Sequence, residues 1–288
     1  MVLFLGKLDW RPNNDSLCYL HYPDREKSTD GILIMYKKLI EGKKAAFFDL
    51  DGTIVDTTPY WEKALENVFE QIKTRWITAS DMYVPGIPLS MLWKNKITSE
   101  QIELENSIED LVDRTNKAFI KIIEDSDIDT VDGFTELLHE LKIEKNFKTA
   151  LATNSQKEVT QALVDKLGLI NAFDVILSGD DVKRTKPDPE ILNKAAKTLV
   201  LKAKEVLVFE DSPTGSEAAA RAGMDIIIIY NERFPKSEYK GKILQFTPDF
   251  TPFPGNLDKT YFETVEDAVK ILMKLKEEKK KTSPQLNQ

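Results

Sequence analysis

Ala45-Ala-Phe-Phe-Asp-Leu-Asp-Gly-Thr-Ile-Val-Asp56 is the stretch on which the fold turns. Four apolar residues run without alternation into Asp49, and the turn-forming pair Asp51-Gly52 follows. An unbroken apolar run is what a strand covered on both faces requires; a strand with one wet face would alternate. Four more runs share this grammar, at Lys148–Thr153, Val175–Ser178, Glu205–Phe209 and Ile226–Tyr230. Segments of helical period separate them. Ser155-Gln-Lys-Glu158 matches a capping box ahead of Val159, Ala162, Leu163 and Leu167, with Gly168 placed to end that helix. Asp188-Pro189 reads as an N-cap and first-turn proline, and Ala218, Ala219 and Ala222 lead to Gly223, another helix end. Strands alternating with helices predict an α/β fold with a doubly wound, mostly parallel sheet.

The alternation breaks once. Thr58-Pro59 opens a helix with Trp61, Ala64, Leu65, Val68, Phe69 and Ile72 on one stripe. Thr98-Ser-Glu-Gln101 reads as the start of a second, carrying Leu104, Ile108, Leu111, Val112, Phe119, Ile122 and Ile123. A small α-helical module inserted after the first strand would lie over the carboxyl ends of the strands, where an open α/β sheet keeps its ligand crevice. The expected division is an N-terminal extension of unreadable role (1–42), an α/β core (43–57 and 131–276), a helical cap (58–130) and a charged tail (277–288). A last amphipathic helix is expected at Val265–Leu275.

Composition narrows the chemistry. The chain has 288 residues, 41% of them hydrophobic and 31% charged, which is enough apolar content to bury a core. A net charge of −8 argues against nucleic acid or an anionic membrane as partner. One cysteine, Cys18, excludes an intrachain disulfide, and two histidines, His21 and His139, argue against a histidine-built metal site. No apolar run approaches the ~18 residues of a membrane span, and the first residues do not read as a secretory signal, so a cytoplasmic setting is expected. His139 falls between core-facing leucines and reads as structural or exposed. Chemistry, if present, falls to carboxylates.

The polar residues that stand out follow the ends of strand-like runs. Asp49 and Asp51 follow the first, Thr153 and Asn154 the second, Lys186 the third, Glu210 and Asp211 the fourth. In a parallel sheet these ends share one edge, so residues distant in sequence converge. Several carboxylates suit a hard, oxygen-liking cation, with Mg²⁺ the leading candidate. A carboxylate is also a nucleophile toward phosphorus, while a hydroxyl, backbone N–H groups and an ammonium hold phosphate oxygens. Phosphoryl transfer accounts for the whole set.

Phe47-Phe-Asp-Leu-Asp-Gly-Thr-Ile-Val-Asp56 resembles motif I of the haloacid dehalogenase superfamily. Leu151-Ala-Thr-Asn154 is similar to motif II, Lys186-Pro-Asp-Pro-Glu190 to the lysine motif, and Val208-Phe-Glu-Asp-Ser-Pro-Thr-Gly215 to motif IV. The likeness spans Lys43 to Tyr230, and the helical insert resembles the α-helical cap of the subgroup containing β-phosphoglucomutase and phosphoglycolate phosphatase. It implies a Rossmannoid core and a Mg²⁺-dependent phosphoric monoester hydrolase acting on a small phosphorylated metabolite, a sugar phosphate or a phosphoglycolate-like compound. By resemblance, Asp49 is nucleophile and metal ligand. Asp51 protonates the leaving oxygen and then activates water, its backbone carbonyl binding the metal. Gly52 permits the turn and close approach of backbone to ligand. Thr153 and the Asn154 amide hold phosphate, Lys186 bridges Asp49 and phosphate, and Glu210 and Asp211 complete the metal site. Asp56 and Ser212 would orient neighbours or cap helices. An aspartate at position 51 favours an oxygen leaving group over a halide. Two alternatives stay open: a phosphosugar mutase, and a catalytically silent interaction protein on the same fold. In the cap, Pro85-Gly-Ile-Pro88, Trp93, Lys94, Lys96, Tyr60 and Arg75 are candidate substrate contacts, while Trp61 reads as core.

Overall fold

The computed structural model describes residues 36–72, 86–100, 107–251 and 253. Six parallel strands form one sheet: β1 (Ala45–Phe48), β2 (Lys148–Ala152), β3 (Val175–Leu177), β4 (Val206–Glu210), β5 (Asp225–Ile229) and β6 (Ile243–Thr247). Their order is β3-β2-β1-β4-β5-β6. β1 is therefore flanked by β2 and β4, with Phe48 level with Leu151 on one side and Phe209 on the other. That register brings the ends of three strands side by side.

The unbroken apolar runs have a direct explanation. Successive side chains of a strand point to opposite faces, and here both faces are buried. Ala46, Phe48, Leu151, Leu207 and Phe209 enter one hydrophobic cluster, whereas Ala45, Phe47, Ala150, Val206 and Val208 enter another. Phe48 stacks on Phe209 with centroids 4.8 Å apart and meets Phe134 edge-on at 5.5 Å. Truncating such a core ring costs roughly 3–5 kcal/mol.

β6 extends the sheet beyond the five strands read from sequence. It is an edge strand whose first four residues are only partly buried, so its Ile-Leu-Gln-Phe-Thr segment lacks the continuous run that marks the others. Helices cover the sheet. α1 (Thr58–Ile72), α2 (Leu89–Glu100) and α3 (Ile108–Asp125) form the insert. They are followed by α4 (Phe134–His139), which runs on as a π-helical turn over Glu140–Glu144, then α5 (Lys157–Lys166), α6 (Glu190–Thr198) and α7 (Pro213–Ala222). Among the described residues, no helix is long and apolar enough to cross a membrane.

Two helix starts differ from the sequence reading. Thr98 lies inside the last turns of α2; the next helix starts at Ser107, whose hydroxyl accepts from the Asp110 N–H at 3.2 Å. α5 starts after Gln156, whose own side chain does not cap it; Asp180 Oδ2 accepts from the Lys157 N–H at 2.7 Å instead. The Ser155 hydroxyl has other work, because it donates to Asp51 Oδ2 at 2.7 Å. The other caps follow the expected chemistry, except that α6 starts one residue later than read, with Pro189 at its N-cap. Asp188 Oδ1 accepts from the Glu190 N–H at 3.0 Å, Ser212 Oγ from the Gly215 N–H at 3.0 Å, and Gly223 ends α7 at φ 70°.

The insert leaves and returns at one place, where the Val131 N–H donates to the Ile54 carbonyl at 2.7 Å. Within it, α1 and α3 pack along each other, and Leu65, Phe69, Trp93 and Leu111 make a separate apolar cluster. Residues 36–40 are helical, and Tyr36 and Leu39 are buried in the main cluster, so this end of the expected extension is packed into the core. His139 is buried, and desolvation pushes its imidazole pKa down. The readings made for Cys18, His21, Arg75, Pro85, Leu104, Val265–Leu275 and the tail lie outside the described residues.

Candidate active site

The carboxyl edge of β1, β2 and β4 carries the polar residues that the sequence singled out. Asp49 follows β1 directly, its N–H donating to the Phe209 carbonyl at 3.0 Å, which continues the pairing with β4 by one residue. Glu210 is the last residue of β4 and Asp211 the next. Asp49, Glu210 and Asp211 are all buried, with one oxygen of each within 4.8 Å of the others. Lys186 reaches into this cluster from the loop after β3. Its Nζ lies 2.7 Å from Asp49 Oδ1 and 2.6 Å from Glu210 Oε1, with only 3% of its side chain exposed.

Burial governs the ionisation of this group. Desolvation, opposed by the Lys186 ammonium and aided by Glu210 and Asp51, lifts the Asp49 pKa to about 8. Desolvation and then the Glu210 and Asp49 charges lift Asp211 as well. For Lys186 desolvation pulls the other way, and the Asp49 and Glu210 carboxylates outweigh it, so the ammonium stays charged. Once all three carboxylates are ionised, one ammonium leaves two negative charges, the deficit a divalent cation would fill. Two further observations fit a cation. Asp211 Oδ2 is buried with no hydrogen-bond partner among the described residues. A Cβ on Gly52, which sits at φ 83°, would come within 2.1 Å of that same oxygen, so the backbone there needs glycine for both space and conformation. Glu210 is held rigidly: its Oε2 accepts from the Asp211 N–H, the Ser212 N–H and Ser212 Oγ at 3.0–3.1 Å.

Asp51 is separate from this cluster and is held by neutral donors. Thr57 Oγ1 (2.7 Å) and the Trp61 indole N–H (3.1 Å) donate to its Oδ1; Ser155 Oγ (2.7 Å) and Thr153 Oγ1 (3.3 Å) donate to its Oδ2. Two of these donors follow β2, and two belong to the segment entering the insert. The Asn154 carboxamide ties strand to loop, accepting from the Lys186 N–H at 2.8 Å and donating to the Lys186 and Gly86 carbonyls at 3.1 and 3.0 Å. Asp49, Asp51, Thr153, Asn154, Lys186 and Glu210 all line one cavity of about 110 Å³ between sheet edge and insert. That is small against the ~300–1,000 Å³ of sites for drug-sized ligands.

Trp61 was read as core. It is buried and stacks on Phe119 at 3.8 Å, yet its N–H is spent on Asp51 and its ring lines the cavity. Helical periodicity assigned its face but could not reveal that the indole edge reaches a carboxylate. Ser155 and Thr57 were missed likewise, each beside a helix start where a hydroxyl reads as a cap. Asp56 is exposed and accepts from the Thr58 N–H at 3.2 Å. Of the cap candidates, Gly86, Ile87 and Pro88 line the cavity. Trp93 does not: it is sealed inside the insert and donates to Thr115 Oγ1 at 3.1 Å. Lys94 is exposed and Lys96 and Tyr60 are partly buried, all three outside the cavity lining.

Comparison with known proteins agrees with this geometry. A family profile described as haloacid dehalogenase-like hydrolase matches residues 46–229. A phosphorylated carbohydrates phosphatase of Thermotoga maritima is 31% identical over 188 residues, covering 64% of this chain and 83% of the relative. A fructose-1-phosphate phosphatase of Escherichia coli is 28% identical over 184 residues, covering 62% and 93%. The fold matches that of CbbY from Rhodobacter sphaeroides, crystallised with phosphate, at a TM-score of 0.65 and 23% identity over 72% of this chain and 95% of that one.

Proposed function

The chain belongs to the haloacid dehalogenase-like hydrolases and is a phosphoric monoester hydrolase; from that premise we propose that it hydrolyses a small phosphorylated metabolite, a sugar phosphate or phosphoglycolate-like ester, through an aspartyl-phosphate with Mg²⁺ as cofactor. The observation that carries this reading is the pairing of two differently held aspartates on one cavity. Asp49 lies among buried charges beside Lys186, and Asp51 is cradled by four neutral donors.

Asp49 acts as nucleophile. A carboxylate oxygen attacks phosphorus in line, and the P–O bond to the leaving group breaks. Lys186 opposes the desolvation that favours protonated Asp49 and balances charge on the phosphoryl oxygens, aided by Thr153 and the Asn154 amide. Asp51 hands its proton to the departing oxygen, then takes a proton from the water that attacks the acyl phosphate. Bonds from Thr57, Trp61, Thr153 and Ser155 fix where that proton is given and received. Gly52 lets the backbone approach closely. Mg²⁺ would be held by Asp49, Asp211, the Asp51 carbonyl and Glu210, directly or through water, and when bound it would neutralise phosphate charge and lower the Asp49 pKa. The insert over the sheet edge would keep bulk water from the acyl phosphate.

Asp49→Asn tests this reading. Turnover of a generic ester should fall by roughly 10³-fold or more while the circular dichroism spectrum is kept, and retained activity would reject the nucleophile. Asp51→Asn should slow alkyl esters more than activated aryl esters, whose leaving oxygen needs no proton. A mutase would instead turn a hexose 1-phosphate into its 6-phosphate without releasing free phosphate. A silent interaction protein would hydrolyse no ester on a panel with Mg²⁺.

A further inference from the structure

The reacting groups lie on the sheet side of the cavity. The opposite side, where a leaving group would rest, is of another composition. There the wall is largely apolar, with Trp61, Ile87, Leu89 and Val112, and is interrupted by the exposed Ser90 and by two carboxamides, Asn116 on α3 and Gln156 ahead of α5. Asn116 is buried although it lies on an amphipathic helix, and its Nδ2 donates to Gln156 Oε1. The bond joins the insert to the core at the cavity wall. A primary amide has two N–H donors and an acceptor oxygen with two lone pairs. The mutual bond uses one donor of Asn116 and one lone pair of Gln156. What remains is a mixed set of donors and acceptors without charge.

Such a set matches hydroxyl groups, each of which donates once and accepts twice. The apolar neighbours match the C–H surface of a carbon chain or sugar ring. A carboxylate fits poorly, since it accepts only and is costly to desolvate against apolar walls. We infer that the ester taken here carries an uncharged, polyhydroxylated leaving group, a polyol or sugar, read by the Asn116–Gln156 pair. The inference rests on the phosphatase reading above and chooses within it, for polyol and sugar monophosphates and against phosphoglycolate.

The test measures kcat/KM with Mg²⁺ on three esters: glycerol 3-phosphate, phosphoglycolate and methyl phosphate. Wild-type protein should favour glycerol 3-phosphate over phosphoglycolate by about tenfold or more, the ratio expected when one ester satisfies the amide pair and the other strands it. Asn116→Leu and Gln156→Leu should each lower the ratio of glycerol 3-phosphate to methyl phosphate by roughly three- to tenfold, the worth of one hydrogen bond. Gln156 is exposed at its helix start, so its variant keeps the test open should Asn116→Leu not fold. A wild-type preference for phosphoglycolate would overturn the inference. So would equal losses on glycerol 3-phosphate and methyl phosphate, which would make the amide bond a latch between insert and core. In both cases hydrolysis of methyl phosphate would leave the phosphatase reading standing; failure to hydrolyse any ester would remove that reading and the inference with it.

Discussion

The two walls of the cavity are built on different physical terms. On the sheet side, charged groups are packed out of water at the end of a rigid parallel sheet, and Lys186 and the β4 end hold Asp49 and Glu210, while the buried Asp211 Oδ2 is left for a cation. On the insert side, aromatic and aliphatic packing does the holding, and polar groups are few. A charged network tolerates little, because removing one member strands the others; an apolar wall tolerates exchange of shape at modest cost. The difference separates what the enzyme does from what it does it to.

Lys186→Met presses hardest on the comparison. It leaves the Asp49 and Glu210 carboxylates buried without their ammonium, so we expect a loss of roughly 3–5 kcal/mol in chemical denaturation. Activity should fall on every ester alike; a loss confined to one would place Lys186 in substrate choice. Second comes the cation. The folded Asp49 pKa, about 8, lies above the ordinary carboxyl value of 3.8. Metal-free protein should therefore be most stable below about pH 4 as far as this group is concerned, and lose that contribution as the pH rises toward 8. A fixed Mg²⁺ concentration, 100 times the dissociation constant at pH 8, should raise the melting temperature by roughly 5–10 °C at pH 8 and by less at pH 6, where protons compete for the carboxylates. An equal shift at both values would break the link between the carboxylates and the ion. Trp61→Phe follows, since it keeps the stack on Phe119 and deletes the donor to Asp51. Rates on alkyl esters should drop about fivefold, as expected for one hydrogen bond of about 1 kcal/mol, with aryl esters less affected. Smallest is Trp93→Phe, which removes a buried N–H bond inside the insert. Calorimetry should register a loss of about 1 kcal/mol, with kcat/KM for methyl phosphate within about twofold if the insert serves shape rather than chemistry.

Legibility in the sequence follows the same division. Strands β1, β2, β4 and β5 were readable because burial on both faces forces continuous apolar runs, and the site because such strands end in polar residues along one edge. β6 was not, since an edge strand half open to solvent has no such run. Around the insert the signal misled. Thr98-Ser-Glu-Gln101 resembles a helix start yet lies at the end of α2, while the cap of α3, Ser107, went unread. Ser155 satisfies a capping pattern on paper, but the nearby Asp51 carboxyl outbids the helix amides for its hydroxyl. The Trp61 indole N–H lies beyond the reach of periodicity for a similar reason: a stripe records which face is buried, and not what the rim of a ring touches.

One bond, from the Val131 N–H to the Ile54 carbonyl, has a consequence for how such a molecule diversifies. A segment whose two ends are clasped together imposes a closure penalty on its host that changes little with its length, because the entropic term grows only slowly with the residues enclosed. The sheet can thus accept a longer, shorter or wholly different graft at that clasp while the catalytic edge stays in register. New metabolites could be recruited by exchanging the graft, with the phosphorus chemistry inherited intact.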